Sequence, residues 1–301
     1  MPTDFYPMTA AQLYDRTLHV FKKSFWMQIA YAAMLGVISF FGFAVFGFVF
    51  AFALFTNNTN TGIFTTILAI GALGLLWLAA SSAGHILLAR QALYGHKAKI
   101  PVRQIPRVAM RVFFTLVAQI IAFVPLVGVT TIIIMPFTAS AWGANFYLHF
   151  WTLLLLGFTI IVCFALYYNI FSLAIAVSVF ERKTFFGALW RSWELIKGEF
   201  WRIAAIRLMW VLVAFALTFS IQGGLQLLTI LMALSSDLLG LNLTTSMAIT
   251  GMLSMVTMVL SFVVSIAAMP LEGVFSATLY FNQRIKKEGM DIEIALGRLR
   301  L

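Results

Sequence analysis

Charge is scarce in this sequence: Asp, Glu, Lys and Arg make up 10% of 301 residues, against roughly 25% in soluble domains. Acid is scarcer still, with 10 Asp and Glu against 20 Lys and Arg and a formal net charge of +10. The single cysteine, Cys163, excludes an intramolecular disulfide framework and, lying in an apolar run, reads as a small packing residue. His19, His85, His96 and His149 fall on four different segments, which gives no zinc-ligand spacing. No phosphate-cradling glycine loop and no nucleophile paired with a base is found. No cofactor, no metal and no enzymatic activity is therefore expected.

What fills the space is hydrocarbon. Apolar residues account for 62% of the chain, 30 of them Phe. Water penalises exposed apolar surface at roughly 25 cal/mol per Å², so such a chain needs lipid as its solvent. Six runs reach the roughly 20 residues that cross a bilayer as a helix: 25–54, 63–88, 112–137, 150–180, 203–234 and 247–281. The expected fold is all-α, polytopic, with about six transmembrane helices. The first run is far longer than a signal-peptide core, so insertion is expected through the first span itself.

Short cytoplasmic segments retain Lys and Arg whereas external ones do not. Arg16, Lys22 and Lys23 precede the first run, and Arg90, Lys97, Lys99, Arg103, Arg107 and Arg111 follow the second. Arg182, Lys183, Arg191, Lys197, Arg202 and Arg207 follow the fourth, and Arg284, Lys286, Lys287, Arg298 and Arg300 follow the sixth. The intervening stretches 55–62, 138–149 and 232–246 hold no Lys or Arg and one acid, Asp237. Both termini and all basic groups are thus expected on the cytoplasmic side, with anionic lipid rather than nucleic acid as the counter-charge.

Arg16-Thr17, Lys22 and Phe25-Trp26 recur with the same spacing as Arg191-Ser192, Lys197 and Phe200-Trp201, and more loosely as Arg103, Arg107 and Arg111 before Phe113-Phe114. Two readings stay open: a single transmembrane domain over 1–301 built from three hairpin units, 8–90, 103–180 and 184–286, with a cytoplasmic tail at 287–301, or chance similarity at membrane entry.

Each unit would open with an amphipathic interface helix. Thr9 and Gln12 fit a capping box starting a helix near Ala10, after which Leu13, Tyr14, Leu18, Phe21 and Phe25 recur at helical steps. From 184 to 201, Phe186, Leu189, Trp190, Trp193, Ile196 and Phe200 fall on one side, with Arg191, Glu194 and Lys197 towards the other. Trp190, Trp193 and Trp201 with Arg191 and Lys197 are candidate interface contacts, serving either as depth anchors or as a lipid or partner site. Arg103, Arg107 and Arg111 share a helical face; the stripe would either hold a phosphate headgroup or snorkel to enforce topology.

Ionisable groups at membrane depth are costly and mark functional candidates. Glu272 is the foremost, unless Pro270 marks the exit from the bilayer, in which case Glu272 pairs at the interface with Arg90 or Arg207. His85, Gln119, Tyr167, Tyr168, Asn169, Gln222 and Gln226 are the other polar intramembrane groups; they either line a cavity or make interhelical hydrogen bonds. Asn57 and Asn242 begin Asn-x-Thr sequences in the external stretches.

The stretches GALWRSWELIKGEFWRIAAIRL, SATLYFNQRIKKEGMDIEIAL and AAQLYDRTLHVFKKSFW resemble the bacterial glycerophosphoryl diester phosphodiesterase membrane domain. The resemblance covers most of the chain in layout and is specific in those three stretches. It implies a multi-pass bacterial cytoplasmic-membrane protein. The phosphodiesterase barrel with its acidic metal ligands is not found in these 301 residues, so no catalytic activity is implied. The expected function is a non-catalytic scaffold or accessory subunit contacting anionic lipid or another membrane protein. The alternative is a transporter or lipid-handling permease, with a cavity among spans two, four, five and six where Glu272, His85 and Gln222 converge.

Overall fold

The computed structural model describes residues 7–55, 60–95, 99–141, 146–238 and 243–289. Asn57, His96, Lys97, Asn242, Arg298 and Arg300 lie outside these segments, as does most of the 287–301 tail. Among the described residues all regular structure is helical: α1 Ala10–Phe55, α2 Asn60–Leu93, α3 Ile105–Ala141, α4 Phe146–Ile170, α5 Ala174–Phe180, α6 Phe186–Ile196, α7 Phe200–Leu238 and α8 Leu243–Glu288. Four helical stretches are long and apolar enough to cross a membrane by length and composition: Leu68–Leu93, Ile105–Ile132, Gly157–Phe180 and Phe200–Leu227. This is the architecture of a helical membrane protein.

α1 begins where its sequence signal places it. The Thr9 N–H donates to Gln12 Oε1 at 2.9 Å, and the Gln12 N–H reaches Thr9 Oγ1 at 3.4 Å, so the two side chains satisfy amides that the first helical turn leaves unpaired. The segment that follows is not a separate interface helix. It runs without a break into a helix of 46 residues, about 69 Å at 1.5 Å per residue. Its buried face is Leu13, Thr17, Val20, Ser24, Gln28 and Tyr31, while Leu18 is exposed. Those buried positions step by three and four, so half-polar side chains share one inward stripe that hydrophobicity alone does not reveal.

α8 is equally long at 46 residues and passes through the buried Pro270 without ending. Pro270 therefore does not mark a helix terminus. α1 packs on α2 and α8, α2 on α3, α3 on α4, α4 on α7 and α7 on α8, and α2 also touches α8. The long helices thus close a ring, with α1 outside the contact between α2 and α8.

The packed interior lies at one end of this ring. Its buried apolar residues come from 8–35, 79–118, 173–210 and 274–285. Leu154, Phe158, Ile161, Phe215, Leu227, Met252 and Met258, further along the helices, are all at least half exposed, surface that calls for lipid rather than water. An aromatic stack ties three elements together: Trp210 lies on Phe275 at 4.7 Å and 7°, and Tyr14 on Trp210 at 6.1 Å, with Tyr14 Oη donating to the Ile206 carbonyl at 2.7 Å. Such ring pairs contribute about 0.5–1.5 kcal/mol beyond area burial.

The fourth apolar run is not one helix. At 171–173 the chain turns between α4 and α5, with neither glycine nor proline at the bend. The Ser192 hydroxyl, from α6, receives the Leu173 N–H at 3.3 Å and donates to the Ile170 carbonyl at 3.0 Å. Gln119 Nε2 donates to the Phe171 carbonyl at 3.1 Å, and Tyr167 Oη donates to the Gln119 carbonyl. A helix within an apolar run is interrupted only where other protein groups satisfy the freed backbone, and here they do.

α6 carries the 184–201 aromatics, but not on one face. Leu189 and Ile196 are buried with Ala188, Ser192 and Leu195, whereas Phe186 and Trp190 are exposed. Phe200 starts the next helix beyond Gly198, whose φ of 94° allows the turn. Arg191 does not face away from the protein. Its Nε bonds both oxygens of Glu181 at 3.0 and 3.1 Å and its terminal nitrogen bonds Glu288, to which Arg284 also donates at 2.9 Å. Burial alone would raise the Glu288 pKa, but the hydrogen bonds from Arg284 and Arg191 prevail and hold it below the usual glutamate range. The latch fastens α6 to the end of α8. Lys197 contributes its carbonyl, which accepts from Lys287.

The three echoed sequences share one ring arrangement. Phe25-Trp26, Phe113-Phe114 and Phe200-Trp201 each form an edge-to-face pair, with centroids at 5.3, 5.7 and 5.2 Å and planes at 75°, 71° and 74°. In each, the first ring is half-buried and the second exposed.

Candidate functional site

Five elements of the ring converge on a cavity of about 170 Å³ at the packed end. α2 supplies Ser81, Ser82 and His85; α3 supplies Gln119; the end of α4 and the bend after it supply Tyr168, Phe171 and Ser172; α7 supplies Arg207; and α8 supplies Met269, Glu272, Gly273 and Ser276. By volume it admits several waters or a small polar group.

Arg207 is the anchor. Its side chain is only 3% exposed, and its terminal nitrogens reach Glu272 Oε1 at 2.7 Å, Tyr168 Oη at 2.8 Å and the Ser172 carbonyl at 3.5 Å. The guanidinium also lies 4.7 Å from the centre of the Tyr168 ring, within cation–π range. Glu272, with its side chain 44% exposed, receives Ser276 Oγ on the same oxygen at 3.3 Å. The pair is therefore lopsided: the cation is desolvated and the carboxylate opens to the cavity. Arg90, the other partner considered for Glu272, lies instead near the Tyr94 and Phe180 rings.

His85, on α2, lines the same cavity. Gln28 Nε2 donates to the His85 carbonyl at 3.2 Å, which turns Gln28 Oε1 towards the ring. His85 Nδ1 then donates its proton to that oxygen at 2.6 Å, leaving Nε2 with a lone pair. His85 is 1% exposed, and Nε2 has no hydrogen-bond partner among the described residues. Arg207 Nε and Ser172 Oγ, on the same cavity, are likewise buried and without partners there. Three buried polar atoms on residues that line one cavity are thus left unpaired, which is costly.

Close approach of α2 and α8 makes this geometry. A Cβ on Gly273 would stand 2.6 Å from His85 Cβ and 3.5 Å from the His85 backbone, and one on Gly84 would stand 2.1 Å from the Tyr31 ring. Tyr31, held by its hydroxyl on the Ala80 carbonyl at 2.6 Å, packs edge-on against His85 at 5.2 Å.

Of the expected intramembrane group, Glu272, His85 and Gln119 meet on this cavity, and Gln222 and Asn169 do not line it. Asn169 donates to the Ala165 carbonyl of its own helix; Gln222 is half-buried further along α7. Arg103, Arg107 and Arg111 line a separate cleft described below. Trp190 and Trp201 are 67% and 77% exposed, and Trp193 is half-buried. Gln28, Tyr31, Ser81 and Ser192 were not singled out by sequence reasoning. A signal for Gln28 and Tyr31 was available in Thr17, Ser24, Gln28 and Tyr31, polar groups recurring on one helical face within or beside an apolar run. No protein-family model, no curated protein and no solved structure matches the chain.

Proposed function

We propose that this chain is a transporter or lipid-handling permease whose cavity receives a polar group the size of a lipid headgroup. The observation that carries the reading is the buried Arg207 held by Glu272 on the same cavity that His85, with its unpartnered Nε2, also lines. A scaffold has no need of a desolvated guanidinium, an acceptor nitrogen and a bent helix around the same space, because burying charge is costly at membrane depth. Arg207 would bind an anionic or carbonyl oxygen, and His85 would accept a hydrogen bond from a hydroxyl or amine. Six spans with both termini on the cytoplasmic side of a bacterial cytoplasmic membrane complete the proposal. It is supported by the clustering of every Lys and Arg at one set of loops and by the stretches resembling the phosphodiesterase membrane domain.

The test is reconstitution of purified protein into liposomes carrying headgroup-labelled phospholipid, with transbilayer movement measured beside empty liposomes. Movement that is abolished by Ser82→Leu, which fills the cavity without touching the ion pair, is the expected result. Transport unaffected by Ser82→Leu would sink the cavity as the route.

A scaffold reading retains one specific support: Trp26, Trp190 and Trp201 stand 80%, 67% and 77% exposed, aromatic surface open to a partner. Silent liposomes combined with a stoichiometric membrane partner lost on Trp190→Ala would select it.

A further inference from the structure

A second concavity, of about 720 Å³, opens where the end of α2, the start of α3 and the end of α5 meet. Arg90, Lys99, Arg103, Arg107, Arg111 and Arg182 line it, and no acidic residue among the described ones does. None of the six forms an ion pair among the described residues, although Arg191, Arg202, Arg207, Arg284, Lys183 and Lys286 all do. Six like charges drawn from four segments repel one another, and a fold that needed them only for topology would leave them spread along its surface.

Local structure sets them around the cleft, Arg90 and Arg111 half-buried and the other four exposed. Gln91 Oε1 accepts the Lys99 N–H at 2.7 Å, fixing the connection beside the cleft. Arg107 and Arg111 stand four apart in the first two turns of α3, whose amino-terminal dipole adds positive potential, and Arg103 lies in the turn just before it. Arg182 follows the last residues of α5 with φ 58°, a left-handed conformation at a helix end that glycine adopts without strain. An arginine thus stands where glycine would serve the backbone better, and it lines the cleft.

We infer that this cleft binds a ligand carrying two or more phosphate groups. Arginine forks match phosphate oxygens in pairs, and several together neutralise a multiply charged group that a single arginine would hold weakly. The volume suits a diphosphate with its attached moiety. The phosphates come either from a membrane lipid with two phosphates in its headgroup or from a soluble diphosphate. The site is separate from the Arg207 cavity and stands or falls independently of it.

Purified full-length protein in detergent tests the shared chemistry with two probes, inorganic pyrophosphate by calorimetric titration and cardiolipin by native mass spectrometry beside phosphatidylglycerol. Saturable pyrophosphate binding identifies the soluble source. Preferential retention of cardiolipin that millimolar pyrophosphate does not displace identifies the lipid. In either case Arg103→Gln with Arg107→Gln lowers affinity at least tenfold. Arg182→Gly lowers it several-fold while the melting temperature holds or rises, because glycine relaxes the backbone. Arg202→Gln, outside the cleft, leaves binding unchanged. The inference is overturned if neither probe binds, or if Arg182→Gly binds as the parent does, or if Arg202→Gln weakens binding equally.

Discussion

Arg207 and Glu272 meet at 2.7 Å between α7 and α8, with the guanidinium 3% exposed and the carboxylate side chain 44% exposed. Removing the negative charge leaves a desolvated cation with only neutral acceptors, among them one phenol oxygen and one long carbonyl contact. Breaking a buried pair costs about 3–5 kcal/mol, and the openness of Glu272 places this one at or below the lower end. Glu272→Gln is expected to lower the melting temperature in detergent clearly, and Arg207→Met added to it to restore much of the loss. If Glu272→Gln alone is neutral, the pair does not hold α7 against α8.

Gly273 and Gly42 make opposite predictions for the same substitution. Alanine at Gly273 meets the His85 Cβ and backbone, which cannot swing aside, whereas alanine at Gly42 meets nothing within 4 Å. Overpacking costs typically about 1–3 kcal/mol, while Gly→Ala inside a helix gains roughly 1 kcal/mol. Thermal denaturation should therefore show Gly273→Ala destabilised and Gly42→Ala unchanged or raised. Equal behaviour would contradict the close contact of α2 and α8.

Ser192 closes the bend between α4 and α5 with one hydroxyl used twice. Ser192→Ala leaves the Leu173 N–H and the Ile170 carbonyl without it, at about 1–3 kcal/mol for a buried group left unpaired. Amide exchange at 171–174 should speed up in this variant before exchange elsewhere does. Unchanged exchange there would show that the bend is held by other contacts.

The latch at Glu288 predicts a pH dependence. Its folded-state pKa lies below the ordinary value of 4.5, so its contribution is complete above that value and is lost as pH falls through the depressed folded value. A melting-temperature profile between pH 7 and pH 3 should fall less steeply at the acid end for Glu288→Gln than for the parent. Parallel profiles would show that Arg191 and Arg284 do not depend on this carboxylate.

Much of the class was legible in the sequence because hydrocarbon content and cation placement are read directly from residues. The capping box at Thr9 and Gln12 was equally local and marks the start of α1. The bend at 171–173 was not, because nothing in Phe171-Ser172-Leu173 breaks a helix; the cause is Ser192, Gln119 and Arg207 arriving from three other helices. The amphipathic opening of α1 was misread as an interface helix because its buried face contains Thr17, Ser24 and Gln28, which a hydrophobic pattern counts as outward. Glu272 stood out as an isolated acid in an apolar run. Pairing it with Arg207 rather than Arg90 required the third dimension.

The presence of one native cysteine permits the most direct test of the polar cavity. In a Cys163→Ser background, Ser82→Cys reports from the cavity wall, Lys287→Cys from the end of α8, and Leu154→Cys from an exposed apolar position. Labelling sealed vesicles with a charged, membrane-impermeant thiol reagent should modify Ser82→Cys from the same face as Lys287→Cys and leave Leu154→Cys untouched. Ser82→Cys remaining as inert as Leu154→Cys, or reacting only from the opposite face, would contradict a hydrated site at the cation-bearing end of the bundle.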